Sequence, residues 1–330
     1  MTAAVALCTH NGARFLEPQL ASMRTQSYQP AVVVLSDDAS TDDTVALARR
    51  AFAGADSVVR ADAPQLRIIE NRPALGVTKN FEGAVRAAAG TGADLIALSD
   101  QDDVWHADKL ERAARVFAAD PAALLLFTDA RLVDGRGAPL ELGLFESLGV
   151  TEAELGLIES GDALPAFLRR NLATGATVVL RRELLELALP FPASWVHDEW
   201  LAIVAAVHGG VRVLREQTID YRQHGGNEIG VNEPTLGYKI RRMLEPRGTR
   251  NELLAAKFAD LAAWARATGL PADQLSQIEA KAAFELTRSR MPEARLARIP
   301  SILRLAARGL YPRYASQGTL DIARDLLQRP

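Results

Sequence analysis

Asp94-Leu95-Ile96-Ala97-Leu98-Ser99-Asp100-Gln101-Asp102-Asp103-Val104-Trp105 joins a short apolar run directly to a burst of carboxylates. An unbroken apolar run of this length, bounded by polar residues, fits a strand buried on both faces. Helical spacing follows over Ala107–Ala118. The same unit occurs three times upstream. Ala3–Leu7 is a strand candidate ahead of a helix over Phe15–Arg24. The β-branched run Ala31–Leu35 precedes Ser40–Asp43, which has the spacing of a capping box and predicts a helix reaching about Phe52. Leu66–Ile69 precedes a helix over Thr78–Ala89, and Asp94–Leu98 is the fourth strand. Such alternation predicts an α/β fold with a doubly wound, mostly parallel sheet.

In open sheets of this kind ligands collect at the carboxyl ends of the strands. Here those ends read Thr9-His10-Asn11-Gly12, Ser36-Asp37-Asp38, Glu70-Asn71-Arg72 and Ser99-Asp100-Gln101-Asp102-Asp103. From Leu124 to Arg222 strands and helices mix: Ala176–Leu180 and Val211–Leu214 are strand candidates, His197–Val207 a helix, and Gly149–Ser160 a loop or lid within a segment, Glu141–Gly161, placed to cover an acceptor. Beyond Val231 the pattern turns helical, with helices over Glu252–Ala267 and Leu275–Arg288. The expected division is a catalytic domain over 1–235 and a helical C-terminal region over 236–330. Between Arg288 and Arg313 seven arginines face one acid, Glu293, with Leu296, Ile299, Leu303 and Leu310 interleaved; Pro292 and Pro300 are expected to break the helix there. Two readings of this stretch stay open: a basic, partly apolar surface lying on anionic lipid, or an ordinary solvated face or oligomer contact.

Bulk properties narrow the class. The chain has 330 residues, enough for one large α/β domain and an appendage, and a net charge of −3, which argues against nucleic acid as a partner. Its one cysteine, Cys8, lies in an apolar run and reads as a core residue, so no internal disulfide is expected. No basic region precedes the first apolar stretch, and runs such as Trp200–Val207 are too short to span a bilayer. The expected location is cytoplasmic, with peripheral contact at the inner face of the membrane as an option.

The acidic segments point to chemistry. Two Asp at i and i+2 just past a strand end can aim at one hard cation, such as Mn²⁺ or Mg²⁺, and a diphosphate leaving group needs such a cation. The alternative is a solvated acidic loop capping the next helix. A carboxylate at Asp37-Asp38 can accept from the N3–H of uracil or thymine; alternatively these acids serve only the following helix N-terminus. Trp195-Val196-His197-Asp198-Glu199-Trp200 sets two acids between two indoles, fitting a general base beside an acceptor sugar with tryptophan as a stacking wall, or else a favourably charged first helical turn. In Tyr221-Arg222-Gln223-His224-Gly225-Gly226-Asn227, His224 is a metal-ligand candidate suited to Mn²⁺. No Gly-x-Gly-x-x-Gly follows the first strand, where Thr-His-Asn-Gly-Ala-Arg stands, so a dinucleotide-dependent dehydrogenase is disfavoured.

Taken in order over residues 3–230, these motifs resemble family-2 glycosyltransferases with the A-type, Rossmann-like nucleotide-binding fold, and within them the rhamnosyltransferase-like, polysaccharide-biosynthesis branch. The processive-synthase motif Gln-x-x-Arg-Trp is not present at Gln223, so the resemblance implies single additions. It implies a nucleotide-sugar pocket from Thr9, Asn11, Asp37, Asp38, Lys79, Asp100 and Gln101, with Asp38 reading the pyrimidine. Asp102, with His224, would hold the metal and diphosphate. Asp198 would be the base, and Trp105, Trp195, His197, Glu199 and Trp200 would line the acceptor and sugar pocket. His10 stands where the family often has tyrosine, and Asp103 and Glu199 leave the register open at both acidic sites. The implied activity is inverting, metal-dependent transfer from dTDP-rhamnose or a UDP-hexose to a hydroxyl of a glycan or lipid-linked saccharide. The alternatives are a catalytically inactive nucleotide-sugar-binding scaffold and another nucleotide-dependent transferase.

Overall fold

The computed structural model describes residues 1–53, 64–224 and 249–328. The first unit begins with β1 (Ala3–Thr9), α1 (Ala13–Arg24), β2 (Val32–Asp38), α2 (Thr44–Phe52), β3 (Gln65–Asn71), α3 (Val77–Ala89) and β4 (Leu95–Ser99). β1, β2 and β4 are buried along their whole length, which is why their sequences are continuous rather than alternating. β3 is only partly buried and forms the sheet edge. The order β3-β2-β1-β4 is parallel throughout. Val33, Leu35, Leu7, Leu95 and Ala97 pack with Leu16, Leu20 and Met23 of α1 in the core.

The chain continues through β5 (Val104–Trp105), α4 (Lys109–Ala119), β6 (Leu125–Val133), β7 (Pro139–Gly143), α5 (Leu144–Ser147), α6 (Glu152–Glu159), α7 (Leu164–Arg169), a 3₁₀ turn (Gly175–Thr177), β8 (Val179–Arg181), α8 (Leu184–Ala188), α9 (His197–Val207) and β9 (Val211–Arg222). β8 runs antiparallel between β4 and β6, β9 lies parallel to β6, and β5 and β7 add antiparallel pairs. The parallel pattern thus holds for the first four strands, and the sheet is mixed beyond them. Register slips between Thr128 and Arg131 let the long strand β9 stay paired with β6.

Three local expectations need correction. The Ser40–Asp43 box does not form: α2 starts at Thr44 without a side-chain cap, because Ser40 Oγ donates to Asp37 Oδ1 at 2.5 Å. The strand expected from Ala176 begins at Val179, the preceding residues forming the 3₁₀ turn. The segment taken as a loop or lid contains α6, which opens with a complete capping box: Glu154 N–H donates to Thr151 Oγ1 at 3.3 Å, and Thr151 N–H donates to Glu154 Oε2 at 3.0 Å. The Thr-x-x-Glu spacing that announces it is in the sequence. Arg215 of β9 grips both ends of this helix, reaching Glu152 at 2.8 Å and Glu159 at 2.8 Å.

The second unit comprises residues 164–171 with 232–330. The boundary expected at 235/236 lies outside the described residues. Its helices are α7, α10 (Arg250–Ala267), α11 (Ala272–Ser289), α12 (Arg295–Ala307), α13 (Leu310–Tyr314) and α14 (Leu320–Leu327). Pro300 lies within α12 and does not end it; the cost is one missing donor to the carbonyl of Leu296, a residue open to water. The arginine-rich stretch is not uniformly surface either. Arg288 and Arg298 are each 1% exposed. Arg288 grips Asp325 through two bonds of 2.8 Å and lies 3.3 Å from Glu285, which also takes Lys281 at 2.6 Å. Tyr311 donates to Asp325 at 2.8 Å. Among the described residues, no helix is long and apolar enough to cross a membrane.

Candidate active site

The carboxyl ends of β1, β2 and β4 place three of the expected polar segments side by side. Thr9 Oγ1 donates to Asp37 Oδ1 at 2.8 Å, and Ser40 N–H donates to Asp37 Oδ2 at 2.9 Å. Asn11 and Ala39, which follow β1 and β2, both have positive φ, at 48° and 61°. Two non-glycine residues in this sparsely populated region mark a pair of locally constrained turns. Asn11 N–H donates to Ser40 Oγ at 2.8 Å, and Asn11 Oδ1 accepts from Thr41 N–H at 2.9 Å, which ties the two turns together. Asp38, 6% exposed, accepts the N–H of Leu75 at 2.7 Å and of Gly76 at 2.8 Å. Gly76 has φ 80°, the conformation that only glycine adopts freely and that presents this N–H. Asp38 Oδ1 also accepts from the Asn71 amide at 3.4 Å, and Oδ2 keeps a second lone pair able to take a further donor.

Gln101 bridges the ends of β4 and β1. Its amide accepts from His10 N–H at 2.8 Å and donates to the His10 carbonyl at 3.1 Å. A β-carbon on Gly12 would collide with this amide, so a side chain there would dislodge the bridge. His10 turns its Nδ1 to the Asp38 carbonyl at 2.6 Å and its Nε2 to Asn11 at 3.1 Å. Lys79 bonds Glu82 at 2.6 Å and the Phe191 carbonyl at 3.1 Å, both protein groups.

The acidic cluster past β4 is the electrostatic centre. His224 Nε2 and Asp102 Oδ2 lie 2.8 Å apart. Arg222, given no role from the sequence, bonds the Asp102 carbonyl through Nε at 2.8 Å, and its own N–H donates to Asp103 Oδ1 at 3.0 Å. Phe15, which no sequence signal distinguishes from an ordinary helix residue, stacks on His224 at 4.6 Å and lies 5.1 Å from the Arg222 guanidinium. Asp103 is 1% exposed, and its Oδ2 has no hydrogen-bond partner among the described residues. Burial, then Asp102 and Asp100 beside it, push the Asp103 carboxyl well above the usual range. Burial pulls the neighbouring Lys109 ammonium down to about 7, against the opposing pull of Asp103 and Asp100. Asp100 and Asp103 act on this ammonium and Asp100 and Asp102 act on Asp103, and added positive charge is what such a cluster accommodates. Among the described residues, no group of three or more His, Cys, Asp or Glu side chains is already arranged to hold a metal ion. A cation here would need oxygens from elsewhere, as Mg²⁺ takes them from water and substrate phosphates.

Asp198 and Glu199 occupy the first turn of α9, where negative charge is favoured. Asp198 Oδ2 accepts Gly175 N–H at 3.0 Å and Oδ1 accepts Glu199 N–H at 2.7 Å, which fixes the carboxylate plane. A β-carbon on Gly175 would lie 3.4 Å from that of Asp198 and 3.1 Å from His197 Nε2, so glycine permits this approach. The expected aromatic wall is corrected. Trp105, Trp195 and Trp200 are all buried, at 3%, 4% and 1% exposure. Trp200 donates to the Ala188 carbonyl at 2.7 Å and packs against Trp195. Large rings beside a buried helix start gain more from the core than from solvent.

His197 is also inside, 5% exposed and stacked on Phe81 at 3.7 Å. Neither ring nitrogen has a hydrogen-bond partner among the described residues. Burial lowers its pKa to about 3, with Glu199 opposing. The unfolded imidazole titrates near 6.5, so between about 6.5 and 3 the unfolded state holds more protons, and stability falls as pH falls. In urea unfolding measured across pH 7 to 4, His197→Phe is expected to remove a slope of about 1 kcal/mol per pH unit. An unchanged slope would rule out His197 as its source.

With this geometry in place, residues 4–154 match Glycosyl transferase family 2. This segment, a little under half of the chain, is similar to family-2 glycosyltransferase domains. The chain is 27% identical over 234 residues to an uncharacterized glycosyltransferase, alr2836, of Nostoc sp., covering 69% of this chain and 66% of that protein, just under two thirds of its length. It is 25% identical over 236 residues to the dTDP-rhamnosyl transferase RfbG of Shigella flexneri, covering 68% and 74%. Among solved structures, S. aureus TarS 1-349 in complex with UDP-GlcNAc is similar at TM-score 0.59 and 18% identity, over 99% of this chain and 90% of that one. The mannosyltransferase PcManGT from Pyrobaculum calidifontis, in complex with GDP-Man and Mn²⁺, is similar at TM-score 0.51 and 21% identity, over 98% and 85%. The chain thus shares the A-type glycosyltransferase fold expected from the order of its motifs, with a helical C-terminal region.

Proposed function

We propose that the chain is an inverting, divalent-cation-dependent glycosyltransferase. It moves one sugar from a nucleoside-diphosphate sugar, dTDP-rhamnose or a UDP-hexose, to a hydroxyl of a glycan or lipid-linked saccharide in surface-polysaccharide synthesis. The observation that carries this reading is the carboxylate cluster at the end of β4, with His224 within 2.8 Å of Asp102. The similarity to a dTDP-rhamnosyl transferase favours a deoxythymidine donor, and the fold shared with a mannosyltransferase solved with Mn²⁺ favours a divalent cation.

Thr9, Asn11, Asp37 and Asp38 form the nucleoside end of the pocket, with Asp38 available to a pyrimidine N3–H. Asp100 and Gln101 connect it to the diphosphate end, and Lys79 lies near the nucleotide. Asp102 and His224 would hold a divalent cation, Mn²⁺ or Mg²⁺, which when bound neutralises charge on the diphosphate. Arg222 orients the Asp102 backbone from below. Asp198 accepts the proton of the acceptor hydroxyl as that oxygen bonds to the anomeric carbon. The bond from that carbon to the diphosphate oxygen breaks, and the nucleoside diphosphate leaves with the electron pair. One displacement inverts the anomeric centre, and no second carboxylate nucleophile takes part, unlike a retaining glycosidase.

The test is thermal unfolding with UDP, dTDP or GDP, each with and without Mn²⁺, in the wild type and Asp102→Ala. The expected result is a metal-dependent rise of about 5–10 °C with dTDP or UDP, abolished in Asp102→Ala. No rise with any nucleotide would sink the reading. Product formation from dTDP-rhamnose or a UDP-hexose then distinguishes a transferase from an inactive binding scaffold.

A further inference from the structure

The helix α12 of the second unit has two apolar faces, and only one is packed. Arg298, Ile302 and Leu305 point inward, at 1%, 5% and 4% exposure. The guanidinium of Arg298 fixes this roll by donating to four backbone carbonyls: Pro292 and Glu293 at 2.7 Å, Asp325 and Gln328 at 2.9 Å. The roll turns Leu296, Ile299 and Leu303 outward, at 79%, 36% and 61% exposure. At 3.6 residues per turn these three share one stripe. The same periodicity sets Arg295 about 40° past Ile299 on one side of the stripe and Arg304 about 80° past Leu296 on the other, while Arg308 caps the helix beyond its last turn. All three arginines are exposed, and so are Arg290 and Arg313 at the helix flanks. Between Arg288 and Asp321 the sequence has a single acid, Glu293.

Single exposed leucines are common, but an ordered row of them is not. Their flanks decide the occupant. A protein groove would match the apolar row alone, whereas long cationic side chains on both edges match a plane of negative headgroups above hydrocarbon. We propose that the outer face of α12 is a docking surface for an anionic lipid bilayer. Leu296, Ile299 and Leu303 enter the headgroup–acyl boundary, and Arg295 and Arg304 pair with lipid phosphates. The helix lies in the interface plane and does not cross it.

The full chain is tested by flotation with vesicles of phosphatidylcholine alone and of phosphatidylcholine mixed with phosphatidylglycerol. Binding is expected only to the mixed vesicles and weakens with salt. Leu296→Glu/Leu303→Glu is expected to abolish it, and Arg295→Gln/Arg304→Gln to weaken it by about 10-fold or more. Unchanged circular dichroism and melting temperature show that the variants fold, since none of these side chains is buried. Equal flotation of variants and wild type, or no flotation of the wild type, overturns the proposal. So does a wild-type dimer by light scattering that Leu296→Glu/Leu303→Glu converts to monomer without any lipid binding, which would make the face a contact between copies. Because the readout is lipid binding rather than transfer, failure here leaves the sugar-transfer reading standing, and the reverse also holds.

Discussion

Asp198→Asn is expected to lower turnover by about 10²–10⁴-fold while leaving nucleotide-induced stabilisation in place. Asparagine keeps the shape of the side chain but cannot take a proton from an acceptor hydroxyl. The carboxylate is fixed by Gly175 N–H at 3.0 Å and Glu199 N–H at 2.7 Å, so a loss of rate without loss of binding identifies proton removal rather than collapse of the turn. The companion variant is Glu199→Gln. Glu199 is half-buried on the same helical turn, and if it were the base, the large loss would move to that variant. Steady-state product formation with a saturating donor decides between them. Near-normal turnover in Asp198→Asn would remove Asp198 from the chemistry.

Arg288→Leu is expected to destabilise the helical unit by about 3–5 kcal/mol, the usual result of removing one partner from a buried charge pair. Asp325 would lose both of its 2.8 Å bonds to the guanidinium and keep only the Tyr311 hydroxyl and its other neighbours. Glu285 would still have Lys281. The damage is therefore an uncompensated charge at Asp325, and Arg288→Leu/Asp325→Leu should recover much of the loss. Urea unfolding followed by circular dichroism measures both. A loss of under about 1 kcal/mol in the single variant would mean that water reaches the pair and that it behaves like a surface bridge.

These two sites were legible in the sequence to different degrees. Asp198 sits in a short motif at the start of a helix whose limits, His197–Val207, follow from its apolar run. The strand ends were legible for the same reason: a buried parallel strand is a continuous apolar run, and the polar residues that interrupt it mark the ligand-facing edge. Arg288 was not legible. An arginine in a basic stretch reads as solvated, and only the packing of α11 against Asp325 of α14 shows that it lies inside. The tryptophans failed in the opposite direction. Their position beside Asp198 and Glu199 suggested a sugar-stacking wall, but adjacency in sequence does not fix which way a ring turns, and Trp200 turns into the core. The antiparallel strands beyond β4 are short or paired at long range, so no local period announces their direction. Phe15 meets His224 and Arg222 only because the ends of distant elements converge.

α6 carries its order within itself rather than gaining it from a ligand. A loop that orders itself around a glycan loses chain freedom at the moment of binding, and affinity falls by that amount. A helix with its own capping box, gripped at both ends by Arg215, has already lost that freedom when the protein folds. Residues 152–159 are therefore fixed before any partner arrives, and under the proposed sugar transfer a saccharide that reached them would meet a fixed jamb rather than a flap that must fold around it.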